Sequence, residues 1–244
     1  MCTASWLIRP GGFELFFNRD ESGARLPARP PEVILVEGVR VILPIDGNAG
    51  GSWIAVNELG LALCLLNVWE ESGEAGAIAT TPSRGWILRA LAGAAFQEEV
   101  GGTLESMDLA PYAGFRLAAF APGALPSIWR WSGGELGREE ARLPLASSSL
   151  DEERAHSERS RLLSELASGG LDRSVLEAFH ASHAPARGPF SPCMHRADAA
   201  TRSATHVLVA QDRIQMRYAP GPLCEASFGP GIGLPRAAAH RSRS

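Results

Sequence analysis

The sequence predicts a single α+β domain built on large antiparallel sheets, on three observations. Strand-forming patterns fill the first and last thirds of the 244 residues, and helical patterns lie between them. The run Leu61 to Leu66 is apolar at every position rather than alternating, the pattern of a strand covered on both faces. A sheet holding such a strand needs a layer packed above it and another below.

Each element follows in order. Residues 3–8 and the run Phe13 to Phe17 suit a hairpin turned at Gly11-Gly12. A proline-rich stretch over 25–32 leads into two strands within 33–43, turning around Glu37-Gly38. Residues 52–67 form a second hairpin, turning at Asn57-Glu58-Leu59-Gly60. Thr81-Pro82 offers a cap and a first-turn proline for a helix over 83–97, where Ile87, Leu88, Leu91 and Ala95 recur at helical spacing. Residues 115–122 and 127–133 return to strand. Ser149 with Glu152 fits a capping box for a helix reaching about Ala167, and Asp172 can cap another ending near His183. Residues 203–220 are strand again. Residues 229–244 show no periodicity and are expected to be a disordered tail, which leaves one domain over 1–228.

Composition narrows the function. Basic residues number 23 against 27 acidic ones, a net charge of −4, which argues against a nucleic-acid partner. All the basic residues are arginine, so chemistry that needs a lysine base or Schiff base is excluded. Four widely spaced cysteines in a chain of this size suit a reducing compartment. No segment approaches the ~20 apolar residues of a membrane span, and a cytoplasmic location is expected.

Cys2 stands where loss of Met1 would make it the N-terminus. A free α-amino group has a pKa of about 7.7–8.0, so it could accept the thiol proton of its own residue. An arginine nearby would favour the thiolate and a carboxylate would orient the amine. Arg19 and Asp20 supply both types at the end of the strand that pairs with residues 3–8. The same residues have plainer roles, Cys2 as a small apolar strand residue and Arg19-Asp20 as a solvated turn.

"MCT" at the start, "NRDE" at 18–21 with Arg25 after it, "GGSW" at 50–53 following Asp46, "LLN" at 65–67 and "SRG" at 83–85 occur in order. This ordered set resembles the NRDE family (transport and Golgi organisation 2-like), and "TRSAT" at 201–205 resembles its C-terminal element. The family is similar in turn to N-terminal nucleophile hydrolases, which implies a four-layer αββα sandwich. The resemblance implies Cys2 as nucleophile, Arg19 tuning the thiolate and Asp20 holding the α-amine. It further implies Asn67 as an oxyanion donor and Arg202 as a late arginine of the site. Asn18, Glu21, Gly51, Ser52, Trp53 and Arg84 are the expected substrate contacts. For Asn67 a strand-ending turn is the plain alternative, for Arg202 a surface strand position, for Gly50-Gly51 a loop entering a strand, and for Arg84 an exposed first-turn arginine.

The function implied is cysteine-dependent hydrolysis of a small acyl or amide substrate; the alternative is a carrier for haem or another hydrophobic ligand using the same cleft. Haem would bind transiently, with Cys193, Met194 or His195 as axial ligand, and no resident cofactor is expected. His180, His183, Cys193 and His195 place four soft or borderline ligands within sixteen residues, but Cys-x-His is an atypical zinc spacing and no metal is expected.

Overall fold

The computed structural model describes residues 2–69 and 81–239. Two sheets form the centre. Strands β1 (Cys2–Arg9) and β2 (Gly12–Ser22) make the first hairpin, in which Gly11 takes the left-handed conformation (φ 75°) that glycine adopts without a Cβ penalty. They join β10 (Leu145–Ser147), β11 (Ala199–Val209), β12 (Arg213–Ala219) and β13 (Ile232–Pro235) in a six-stranded sheet ordered β10-β1-β2-β11-β12-β13. The seven-stranded sheet runs in sequence order through β3 (Arg29–Val36), β4 (Val39–Ile45), β5 (Ile54–Asn57), β6 (Ala62–Asn67), β7 (Phe115–Phe120), β8 (Ser127–Ser132) and β9 (Glu135–Glu139). Every pairing within the two sheets is antiparallel.

Helices cover the outer faces. Helices α1 (Gly85–Leu91) and α2 (Gln97–Ser106) pack Ile87, Leu88, Leu91, Val100 and Leu104 on the seven-stranded sheet. Helices α3 (Glu152–Leu166) and α4 (Arg173–Ala181) place Leu162, Leu163, Leu176 and Phe179 against Phe16 of the six-stranded sheet. The result is the αββα sandwich. Strand β6 behaves as its unbroken apolar run implies. Ala62, Cys64 and Leu66 face the core between the sheets, while Leu63 and Leu65 join Leu61 in the core beneath α1 and α2.

Local readings differ in four places. The helix expected over 83–97 is shorter, starting at Gly85 without a side-chain cap, and α2 begins anew after an extended Phe96. Helix α3 is capped by Asp151, whose side chain accepts from the Arg154 N–H, rather than by Ser149. Strands β9 and β10 carry no strong pattern and were not expected. The expected tail is corrected where it is described: Ile232–Pro235 is β13, paired with β12 from Met216 to Arg213, and Arg236 anchors it on the carbonyls of Gly11 and Ala210. The end of that tail, 240–244, lies outside the described residues.

One buried charge ties α4 to the sheet. Glu14 has no exposed side-chain surface and accepts from His206 (2.9 Å), Arg173 (2.6 Å) and Arg9 (2.8 Å). Burial alone would raise its pKa, but these hydrogen bonds outweigh burial and hold the carboxyl at about 2, against an ordinary value of 4.5. The folded value lies below the unfolded one, so the stabilisation is complete above about pH 4.5 and is lost as pH falls towards 2. Its size is at most about 3 kcal/mol. Urea unfolding followed from neutral pH into acid should show this loss in the native protein, and Glu14→Gln should flatten that part of the profile.

Candidate functional site

The site is built on the β1–β2 register. Cys2 lies directly opposite Arg19, and on its other side opposite Ser147 of β10. Strand alternation turns Arg19 towards the space between the sheets with Cys2, and turns Asn18 and Asp20 towards the helical layer. Cys2 is 7% exposed, its N–H donates to Ser147 Oγ at 3.0 Å, and its carbonyl accepts from Arg159 at 3.3 Å. Burial pushes the Cys2 thiol up and the Asp20 charge adds to this, while the Asp20 peptide N–H and the Arg19 guanidinium pull it back.

Arg19 is held on two sides. Its guanidinium lies 4.4 Å from the Trp53 ring centre, and its Nη2 donates to Asp46 Oδ2 at 2.5 Å. Asp46 also receives Arg25 (2.7 Å) and the N–H groups of Asn48 and Ala49. Burial would raise the Asp46 carboxyl, but these donors outweigh it and keep its pKa below the ordinary value.

Asp20 is fixed from behind. Its Oδ1 accepts from Thr201 Oγ1 at 2.7 Å, and its Oδ2 lies 3.9 Å from Arg159 Nη2. Burial raises the Asp20 carboxyl, and the Arg159 charge opposes it. Arg159 on α3 has no exposed surface and also donates to the carbonyls of Pro189, Phe190 and Ser191. A guanidinium with five donors in a fixed fork suits such a carbonyl cage.

Cys2, Arg19 and Asp20 open onto a cavity of about 700 Å³. Its walls include Glu21, Gly51, Ser52, Trp53, Asn67, Arg84 and Arg196. A second hollow of about 880 Å³ shares Trp69 and Ser149 with it and is lined by Arg116, Glu139 and His156. The strand end that carries Cys2 thus faces a groove wide enough for a small organic molecule.

The family model for Transport and Golgi organisation 2 matches residues 1–124, just over half the chain. The chain belongs to that family. No curated protein matches the sequence. Among solved structures, penicillin V acylase from Agrobacterium tumefaciens is similar at a TM-score of 0.54 and 13% identity, over 90% of this chain and 84% of the acylase. A mutant conjugated bile acid hydrolase from Clostridium perfringens is similar at 0.53 and 11% identity, over 100% of both chains. A Caenorhabditis elegans N-acylethanolamine-hydrolyzing acid amidase ortholog is similar at 0.55 and 9% identity, over 83% of this chain and 91% of that one. At such identities the likeness is one of fold, and the fold of this Transport and Golgi organisation 2 family member is that of the N-terminal nucleophile hydrolases.

Of the expected site residues in this family member, Cys2, Arg19, Asp20, Glu21, Gly51, Ser52, Trp53, Asn67 and Arg84 meet at the one cavity. Two do not. Asn18 is buried on the other face of β2, where its Nδ2 donates to the carbonyls of His180 and Pro192, so it holds α4 and the following loop instead of touching the cavity. Arg202 is the extra residue where β11 shifts register against β2, and it is exposed and lines a neighbouring hollow. The arginine that stands behind Asp20 is Arg159, which is buried as Arg19 is.

The backbone that approaches Gly51 is the chain's own. A Cβ on Gly51 would stand 2.7 Å from the Gly85 carbonyl carbon, and one on Gly85 would stand 2.8 Å from the Ser52 nitrogen. Arg84 reaches the Gly114 carbonyl at 2.8 Å across the head of α1. Of the candidate haem ligands, Cys193 and Met194 have no exposed surface, and none of Cys193, Met194 and His195 lines the cavity. The trio therefore does not fit an axial ligand for a haem held there.

Sequence reasoning missed Ser147, Arg159 and Arg196. Arg159 had a signal: it falls in the buried stripe of α3 with Ala155, Leu162 and Leu163, a position otherwise apolar. Ser147 sits on a three-residue strand and Arg196 on a loop, and neither has a local pattern.

Proposed function

We propose that this protein is a hydrolase of amide or acyl bonds, with Cys2 as its nucleophile once Met1 is removed. The observation that carries the reading is the pairing of Cys2 with Arg19 at a strand end that opens, beside Asp20 and Asn67, onto the 700 Å³ cavity. The names of the fold relatives, an acylase, a bile acid hydrolase and an acid amidase, agree with this reaction class.

In the proposed reaction the Cys2 amine takes the thiol proton. The thiolate then attacks the carbonyl carbon of the substrate. Negative charge gathers on the carbonyl oxygen, where the Asn67 side-chain amide can donate to it; losing such a donor typically costs about 2.7–4 kcal/mol of transition-state stabilisation. The Cys2 ammonium returns its proton to the leaving nitrogen or oxygen, and a Cys2 thioester remains. Water, deprotonated by the same amine, attacks the thioester carbonyl and releases the acid, with the sulfur regaining its proton. Arg19 contributes positive charge to the thiolate, but its firm pairing with Asp46 and Trp53 makes wall-building its larger part. Asp20, braced by Thr201 and Arg159, supplies the negative charge that favours a protonated amine in the acid half of the cycle.

The reading requires Cys2 at the mature N-terminus. Intact-mass measurement of protein isolated under native conditions is expected to show Met1 absent, and retention of Met1 in active protein would rule out the amine as base.

A second reading is favoured by Arg84 at the cavity wall, whose guanidinium donates to the Gly114 carbonyl rather than to a carboxylate, near Trp53. A cationic group beside an aromatic one suits an acidic, apolar ligand carried without turnover.

A further inference from the structure

Away from the cavity, the structure gathers His183, Cys193, His195 and Cys224 so that one ligand atom from each lies within 4.8 Å of the others. Cys193 Sγ and Cys224 Sγ are 3.5 Å apart, and His195 Nε2 is 3.5 Å from the first and 3.4 Å from the second. Zinc held tetrahedrally at ordinary bond lengths separates two sulfurs by about 3.8 Å and sulfur from nitrogen by about 3.6 Å. Three edges of such a tetrahedron are therefore already in place. A disulfide needs ~2.05 Å between sulfurs, and none joins this pair.

The fourth corner is His183. Its ring centre lies 5.0 Å from that of His195, and its Nε2 is buried without a hydrogen-bond partner among the described residues. Its ligand atom lies within 4.8 Å of the other three, so a small movement of the ring would bring it to the tetrahedral edge of ~3.6 Å. His180, the histidine that the sequence spacing grouped with these ligands, is elsewhere: it is buried with its Nε2 2.8 Å from Ser5 Oγ. Cys224, far along the chain, takes its place.

We infer that His183, Cys193, His195 and Cys224 form a structural zinc site, a Cys2His2 centre closed by four protein ligands. Two thiolates and two neutral imidazoles match the soft-to-borderline donors of tetrahedral zinc, and four protein ligands leave no open position for chemistry. Binding releases the two thiol protons to solvent and leaves a centre of zero net charge. Arg187 Nη2 lies 3.3 Å from His195 Nδ1, which must carry the proton once Nε2 is ligated. The exposed Arg187 then turns fully to Glu225, already its ion-pair partner at 2.9 Å.

The site has a structural consequence for the cavity. Its ligands come from the end of α4, the loop before β11 and the turn after β12, so a metal would staple three segments. Between the first two lie the carbonyls of Pro189, Phe190, Ser191 and Pro192, which receive Arg159 and Asn18. Beyond them, Met194 exchanges hydrogen bonds with Thr201, the donor to Asp20.

Metal analysis of full-length protein purified without chelator is expected to find about one zinc per chain. After chelation, the apoprotein titrated with cobalt(II) should develop the visible d–d bands and thiolate-to-cobalt charge-transfer band of a tetrahedral S2N2 site. Cys224→Ser, an exposed turn position, should lose the bound zinc and most of the charge-transfer intensity while keeping its far-ultraviolet circular dichroism. The cobalt titration of the unsubstituted chain stands alone if that variant does not fold. The inference is overturned by protein that holds no zinc and gives no tetrahedral cobalt spectrum, by zinc content unchanged in Cys224→Ser, or by freshly isolated protein carrying a Cys193–Cys224 disulfide.

Discussion

Arg159→Met is expected to lower the free energy of unfolding by about 3–5 kcal/mol, the range for removing one partner of a buried charged pair. The methionine would fill the space of the arginine stem, but it donates nothing. The carbonyls of Cys2, Pro189, Phe190 and Ser191 would lose their donor, and Asp20 would lose its nearest buried positive charge. Burial already raises the Asp20 carboxyl, and loss of the opposing Arg159 charge should raise it further. Urea denaturation of the variant measures the loss. Adding Asp20→Asn should restore part of it, because the second change removes the stranded acid, and coupling between touching residues runs to about 0.5–3 kcal/mol. A loss under about 1 kcal/mol would reduce Arg159 to a packing residue.

The largest effect on activity is expected from Cys2→Ala. Under the proposed chemistry it should reduce turnover of simple acyl-amide or thioester substrates by about a thousandfold or more, as removal of a nucleophile does elsewhere. The fold should persist, since only a sulfur at the cavity edge is lost. A substrate-like electrophile should label the native protein once, and peptide mapping should place the label on Cys2 rather than on the exposed Cys224. Full turnover in the variant would remove Cys2 from the mechanism. Ligand binding that survives Cys2→Ala, in a native protein with no turnover, would instead favour the carrier reading.

The parts of this molecule legible in sequence are those set by local pattern. Leu61 to Leu66 announced a strand with both faces covered, and the two cores that it divides are present. Glu37-Gly38 announced a turn, and both residues have positive φ, 51° and 83°. The ordered motifs placed Cys2, Arg19, Asp20 and Asn67 around one cavity. What stayed hidden depends on contacts distant in sequence. Asn18 stands beside Arg19 in the same motif, yet its side-chain amide is taken by the carbonyls of His180 and Pro192, far along the chain. Arg202 is displaced by a register shift between β11 and β2 that no composition foretells. Cys224 joins His183 and His195 only because β12 returns beside β11.

The hydrogen bonds around Cys2 also set an order of events in the life of the chain. The peptide nitrogen of Cys2 is tied to Ser147, 145 residues later, and its carbonyl to Arg159, 157 residues later. The nitrogen is one half of the bond whose cleavage would expose the Cys2 amine, so that cleavage is expected before β10 docks beside β1. Under the proposed function trimming is therefore an early event, because β10 closes over that nitrogen once it pairs with β1.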